Sequence, residues 1–209
     1  LERLICRKVA KSVAHGGLPF RYVHAQLTAV GEPERISADK LQNLSGYNRA
    51  NLGGKGTAMS KQAILELDHD ACKTQAMAYL EQGFNCAQAV ACTLAPAIGL
   101  DVDQTFRLME GFGGGMGGYT ETCGAVSGAV MATGWVKSAG SENPISKMET
   151  YQLADQMCAR FKAQNGTTIC SELKGIGNPA GPLRSCPGCI QDAVDIAIDV
   201  LQADARAGA

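Results

Sequence analysis

The stretch GFGGGMGGYTETCGAVSGAVMATG, residues 111–134, decides between two folds. Residues 113–118 satisfy G-x-G-x-x-G, the fingerprint of a phosphate-binding turn between a strand and a helix. That turn needs an apolar strand before it and a βαβ unit around it. Here the preceding FRLMEGF (106–112) is helical in character, and no βαβ context follows. Dinucleotide binding is therefore set aside. Nine of the 24 residues are glycine, and glycine inside a helix costs about 1 kcal/mol relative to alanine. The segment nevertheless ends as a helix, with Cys123 where that helix should begin and Thr122 as its cap. It predicts a helix, a close-approach glycine loop, and a second helix with a small-residue face at Gly124, Gly128 and Ala132. That face suits helix contact, within the chain or in a homodimer.

Outward from this segment, helical patterns follow one another from Met59 to the end, and alternating apolar–polar runs are nearly absent. Helices are expected from about Lys61 to Glu81, from Asn85 to Pro96–Gly99, and from Asp101–Asp103 to the glycine run. Others should span Thr122 to Lys137, the capping-box pattern Ser146-Lys147-Met148-Glu149 to Asn165, and about 168–174. The last is CPGCIQDAVDIAIDVLQAD, residues 186–204. A chain of 209 residues, 45% hydrophobic but only 5% aromatic, suits close-packed helices better than a sandwich. The fold class is all-α, a compact multi-helix, bundle-like domain over 59–209 behind an irregular basic arm, 1–58.

The arm differs in charge as well as pattern. Residues 1–61 hold ten Lys/Arg and four Asp/Glu, whereas 62–209 hold nine and sixteen. Without aromatic interleaving or a recognition motif, nucleic acid is not an expected partner. Lys55-Gly56 ahead of Met59 resembles a translated ribosome-binding site, so 1–58 is expected to be upstream sequence or a poorly ordered arm. The longest apolar runs, 87–100 and 123–136, are broken by Pro96 or by glycines and fall short of the ~20 residues a membrane span needs. A cytoplasmic protein with no membrane insertion is expected.

Nine cysteines are too few for a disulfide scaffold, and their placement is more telling. Cys86 follows Asn85, Cys123 follows Thr122, Cys186 follows Ser185, and Cys170 lies two residues after Thr168, all N-cap residue types. The four are expected in the first turns of four helices, where free N–H groups and the helix dipole stabilise a thiolate. Cys123 and Cys186 are expected to be the most activated. Cys189 completes a C-x-x-C with Cys186, one turn along and placed to resolve a mixed disulfide. Cys72, Cys92 and Cys158 fall inside helical patterns as packing thiols, and Cys6 lies in the arm. His15 and His24 also lie there, and Asp68-His69-Asp70 reads as a solvated helix face. No Ser/His/Asp set or zinc-type second C-x-x-C is present.

The motifs NCAQAV (85–90), GFGGGMGG (111–118), CGAVSG (123–128), TTICSEL (167–173) and CPGCIQDAV (186–194) come in the order and spacing of the C-GCAxxG-C-C family. The chain resembles that family over about 70–202. Its members are described as redox-active, and related domains occur in split-Soret cytochromes. By position the family cysteines are Cys86, Cys123, Cys170 and Cys186, while Cys189 stands where such proteins usually place an apolar residue. The resemblance implies a small redox protein. It works either by thiol–disulfide exchange on these five cysteines, or through iron or an iron–sulfur cluster on Cys86, Cys123, Cys170 and Cys186. Gly113, Gly114, Gly115 and Gly124 would bring backbone N–H groups up to that centre. Without C-x-x-C-H, covalent haem is not expected. The alternative is a non-catalytic metal-binding or helical interaction module. No redox partner can be named.

Overall fold

The computed structural model describes residues 58–142 and 144–207. The expectations for the basic arm, with Cys6, His15 and His24, fall on residues outside these. Among the described residues there are eight α-helices and no strand, as the sequence pattern predicts. They are α1 (Ala58–Leu65), α2 (His69–Glu81), α3 (Cys86–Leu94), α4 (Val102–Met109), α5 (Gly124–Lys137), α6 (Lys147–Asn165), α7 (Cys170–Lys174) and α8 (Cys186–Ala207). No helix among them is long and apolar enough to cross a membrane.

The hub is α3, whose CAQAVACTL is apolar almost all round and buried at every position. Its start is fixed by a reciprocal cap. Asn85 Oδ1 accepts from the N–H groups of Ala87 and Gln88 at 2.9 and 3.0 Å, and Gln88 Oε1 accepts from Asn85 N–H at 2.9 Å. Asn85 Nδ2 then donates to the Glu110 carbonyl at 2.9 Å, which ties this helix end to the glycine loop. Against α3 lies α5. A Cβ on Gly128 would sit 2.6 Å from the Ala87 carbonyl oxygen, so only glycine allows the two backbones to come this close. Gly124, Gly128 and Ala132 are all buried in the chain's own packing. Around this pair α8 presents Ile190, Val194, Ala197, Ile198 and Leu201, and α6 adds Leu153, Met157 and Phe161. Gly128→Ala is expected to destabilise the fold by about 1–3 kcal/mol in chemical denaturation, overpacking outweighing the gain in helix propensity. An unchanged midpoint would contradict the close packing.

Two expected boundaries move, and one expected cap is not made. The helix expected over 61–81 is two helices, because the Asp68 side chain caps α2 by accepting from Ala71 N–H at 2.8 Å. Gln202 Nε2 donates to the carbonyls of Leu65 and Leu67 at 3.3 and 2.9 Å, satisfying groups the break exposes. Ser146 begins α6 without a capping bond; its hydroxyl instead accepts from Ala139 N–H at 2.9 Å. Thr122 does not cap α5. It forms an isolated bridge with Ile169, and Cys123 itself is the N-cap residue. Two bonds, Cys123 N–H to Thr168 O at 2.8 Å and Cys170 N–H to Glu121 O at 2.9 Å, hold the starts of α5 and α7 side by side.

Candidate functional site

The starts of α3, α5, α7 and α8 surround a cavity of about 210 Å³ lined by Cys86, Cys123, Cys170, Cys186 and Cys189. Cys86, Cys170 and Cys186 are first residues of their helices, and Cys123 is an N-cap. Cys189 sits one turn into α8, its N–H donating to the Ser185 carbonyl at 2.9 Å. All five are free thiols. Cys189 is 2% exposed, Cys123 3% and Cys86 6%, while Cys186 is only half-buried. The pocket therefore has a mouth at Cys186 and a floor at Cys189.

The pocket thiols influence one another's acidity, Cys86 responding to Cys123 and Cys186, and Cys189 to Cys123. Cys86 is held far below an ordinary thiol, first by the Cys123 hydrogen bond, then by that from Cys186, with further help from the backbone N–H groups of Gly114 and Ala87. Cys189 is lowered by its hydrogen bond with Cys123, with Arg184 adding attraction. Cys123 is raised because it keeps its proton for Cys189 and Cys86, and Cys186 because it keeps its proton for Cys86. Burial raises Cys170, followed by the nearby negative Cys86, against the pull of Lys174. The sequence singles out Cys123 and Cys186 by their helix starts; the influence of neighbouring thiols instead lowers Cys86 and Cys189 and raises Cys123 and Cys186.

A small alkylating reagent is expected to label Cys86 at about pH 6, where a free thiol of pKa about 8.5 is almost wholly protonated. The rate should stay flat to about pH 8. A tenfold rise per pH unit would show that Cys86 is not the charged group.

Three of the expected glycines border pocket cysteines, and the fourth, Gly113, borders the Asn85 cap. Gly114 supplies an N–H to Cys86, and a Cβ on Gly113 would fall 2.5 Å from the Asn85 side chain that caps α3. A Cβ on Gly115 would lie 2.6 Å from Cys170 Cβ and 2.9 Å from the Glu121 carbonyl oxygen. On Gly124 it would lie 2.6 Å from Cys86 Sγ. These glycines make room for sulfur. The loop then passes through a π-turn, Gly115–Tyr119, in which Met116 and Tyr119 adopt φ of 57° and 64°. Non-glycine residues held there store of order 1–3 kcal/mol each.

Three polar lining residues escape the sequence analysis: Tyr119, Lys174 and Arg184. Lys174 Nζ lies 5.4 Å from the Tyr119 ring centroid. Arg184 makes a two-bonded ion pair with buried Asp192, both bonds 2.8 Å. The available signal was a cation two residues before Cys186 and another four after Cys170, positions from which charge favours a thiolate.

The other cysteines stand apart. Cys92 is buried and pushed up to about 11, its Sγ donating to the Val102 carbonyl at 3.6 Å. Cys72 and Cys158, expected to be buried, are half-buried, and burial raises both. Asp68-His69-Asp70 is spent on structure: Asp68 caps α2, His69 Nδ1 meets Asp195 at 2.9 Å, and Asp70 pairs with Lys73 at 3.0 Å. Among the described residues no three His, Cys, Asp or Glu side chains are disposed to hold a metal ion.

No solved structure matches the chain. An uncharacterized protein of Archaeoglobus fulgidus is 27% identical over 147 residues, covering 64% of this chain and 95% of that protein. The family described as "Putative redox-active protein (C_GCAxxG_C_C)" matches residues 84–200, more than half the chain and all five pocket cysteines. The chain belongs to the C_GCAxxG_C_C family.

Proposed function

We propose that this protein is a thiol–disulfide oxidoreductase in which Cys86 is the nucleophile and Cys186 the resolving cysteine. The gathering of Cys86, Cys123, Cys170, Cys186 and Cys189 around one cavity, with Cys186 its half-buried member, carries this reading, and the lowered pKa of Cys86 supports its role. In the oxidising direction the Cys86 thiolate attacks one sulfur of a substrate disulfide RS–SR′. The Cys86–SR bond forms, the RS–SR′ bond breaks, and the leaving sulfur takes the Cys186 proton and departs as R′SH. Cys186, now a thiolate, attacks Cys86 Sγ. The Cys86–Cys186 bond forms and RS⁻ leaves to be protonated by solvent. The substrate gains two electrons and the protein loses two. Cys186 thus serves first as the acid and then as the resolving nucleophile. Lys174 draws the Cys186 thiol toward ionisation at that second step.

Metal-free, fully reduced protein mixed with glutathione disulfide is expected to release glutathione while its own free thiols fall in step. Thiols that stay unchanged through hours of excess disulfide would refute exchange.

The second reading is a centre of iron or iron–sulfur held by Cys86, Cys123, Cys170 and Cys186. Donor chemistry favours it, since soft thiolates select such centres. Geometry lends it less support, since among the described residues no three His, Cys, Asp or Glu side chains are disposed around one ion. Anaerobic purification followed by metal analysis separates the two readings: stoichiometric iron with visible charge-transfer absorbance would favour the centre.

A further inference from the structure

Between α7 and α8 the chain turns back on itself, and the turn sets two cations side by side on the cavity wall. Gly175 ends α7 at φ 66°, and a Cβ there would collide with the Gly181 carbonyl, so the two ends of the loop lie in contact. Arg184 N–H then donates to the Leu173 carbonyl at 3.1 Å, which brings Arg184 beside Lys174, the last residue of α7. A Cβ on Gly188 would fall 2.5 Å from Arg184 Nε, so this side chain lies against the first turn of α8. Asp192 holds it there through Nε and Nη2, both at 2.8 Å, a pair that does not use Nη1. Lys174 differs. Its Nζ stands 5.4 Å from the Tyr119 ring centroid, with no carboxylate paired to it among the described residues.

The cavity has one sign. Among the described residues no Asp or Glu lines it, whereas Lys174 and Arg184 both do. The starts of α3, α5 and α8 add the positive ends of three helices. A partly closed space of one sign concentrates ligands of the other. Size bounds the ligand further. A cavity of about 150 Å³ accepts a six-carbon ring, so one of about 210 Å³ admits roughly six to eight non-hydrogen atoms. That is the size of a sulfur, a short carbon stem and a carboxylate.

We infer that the pocket selects disulfides in which one half is a small thiol bearing a carboxylate, which Lys174 and Arg184 receive while the sulfur meets Cys86. This rests on the exchange reading above and adds no step to it. The half selected is RS, the one left on Cys86 by the first attack. Lys174 supplies the uncompensated charge, and Arg184, fixed by Asp192, supplies further donors beside it.

The first arm of the test is alkylation, which needs no disulfide. The reduced, metal-free full chain is treated with iodoacetate or iodoacetamide, and peptide mapping gives the rate at the first pocket cysteine to react. With either reagent a C–S bond forms and iodide leaves, so only the charge of the reagent differs. Relative to the same ratio for mercaptoethanol, iodoacetate is expected to be favoured about tenfold, the scale of one charge-assisted contact. The preference should fade in about 1 M salt, where charges act only within about 3 Å. Lys174→Met should remove most of it and Lys174→Arg should keep it. Lys174 is exposed, so both variants should fold. Arg184 is left in place, because its removal would strand the buried Asp192.

The second arm compares dithiodiglycolate with hydroxyethyl disulfide by the rate of thiol loss, again relative to mercaptoethanol. A similar preference for the dianion is expected, with the same loss in Lys174→Met. Equal relative rates with the two disulfides would overturn the recognition and leave exchange standing. So would a preference that Lys174→Met leaves intact. A chain that prefers iodoacetate yet consumes neither disulfide would overturn the exchange reading, and with it the substrate assigned here, so the two failures are distinct.

Discussion

Cys86→Ser is expected to slow exchange with glutathione disulfide by about a thousandfold or more, the scale on which removing a nucleophile acts. Several groups converge on this one sulfur: the thiols of Cys123 and Cys186, and the N–H groups of Gly114 and Ala87. A serine hydroxyl at the same place is nearly isosteric but does not ionise at neutral pH. The fold should survive, because the Asn85–Gln88 cap that starts α3 does not use the sulfur. Thiol release measures the rate, and thermal unfolding confirms that the variant is native. A rate within tenfold of wild type would move the nucleophile to another pocket cysteine.

Gly124→Ala is expected to cost about a hundredfold in the same rate. The new Cβ would stand 2.6 Å from Cys86 Sγ, 2.8 Å from the Phe112 carbonyl oxygen and 3.2 Å from Ala87 N. Two of those neighbours are backbone, so the sulfur is the group that must move. Displacing a reacting atom by about 1 Å costs roughly a hundredfold, and the strain should destabilise the fold by about 1–3 kcal/mol as well. Gly134→Ala is the control. It lies on the same helix, its Cβ would meet nothing within 4 Å, and it should leave the rate alone while gaining up to about 1 kcal/mol of stability. If both substitutions left the rate unchanged, the close approach at Gly124 would not be what positions Cys86.

Much of this site was legible in the sequence, for a local reason. Asn85 and Asp101 cap their helices through side chains that act within three residues, so α3 and α4 begin where those residues predict. The same logic holds for Cys86 after Asn85 and for Cys186 after Ser185, whose Oγ accepts from Gly188 N–H at 3.2 Å, whereas Cys123 and Cys170 stand at helix starts without a side-chain cap. What failed was non-local. The break before α2 is stabilised by Gln202, 135 residues from Leu67. Thr122 is engaged with Ile169 across the site, which leaves Cys123 to begin α5. The influence of Cys123 on Cys189 comes from the start of another helix, which motif spacing does not announce.

The glycine run illustrates both sides. Its incompatibility with a strand and its role as a close-approach loop followed from composition. Its path did not, because Met116 and Tyr119 adopt left-handed backbone that their side chains do not announce. Tyr119 is thereby placed on the cavity wall beneath Lys174.

The most direct measurement is the disulfide map of anaerobically reduced, metal-free protein after oxidation with excess glutathione disulfide. The expected result is a Cys86–Cys186 cross-link between α3 and α8, recovered as one linked peptide pair. A cross-link confined to Cys186–Cys189 within α8, or no cross-link among the pocket cysteines, would contradict a reaction centred on Cys86.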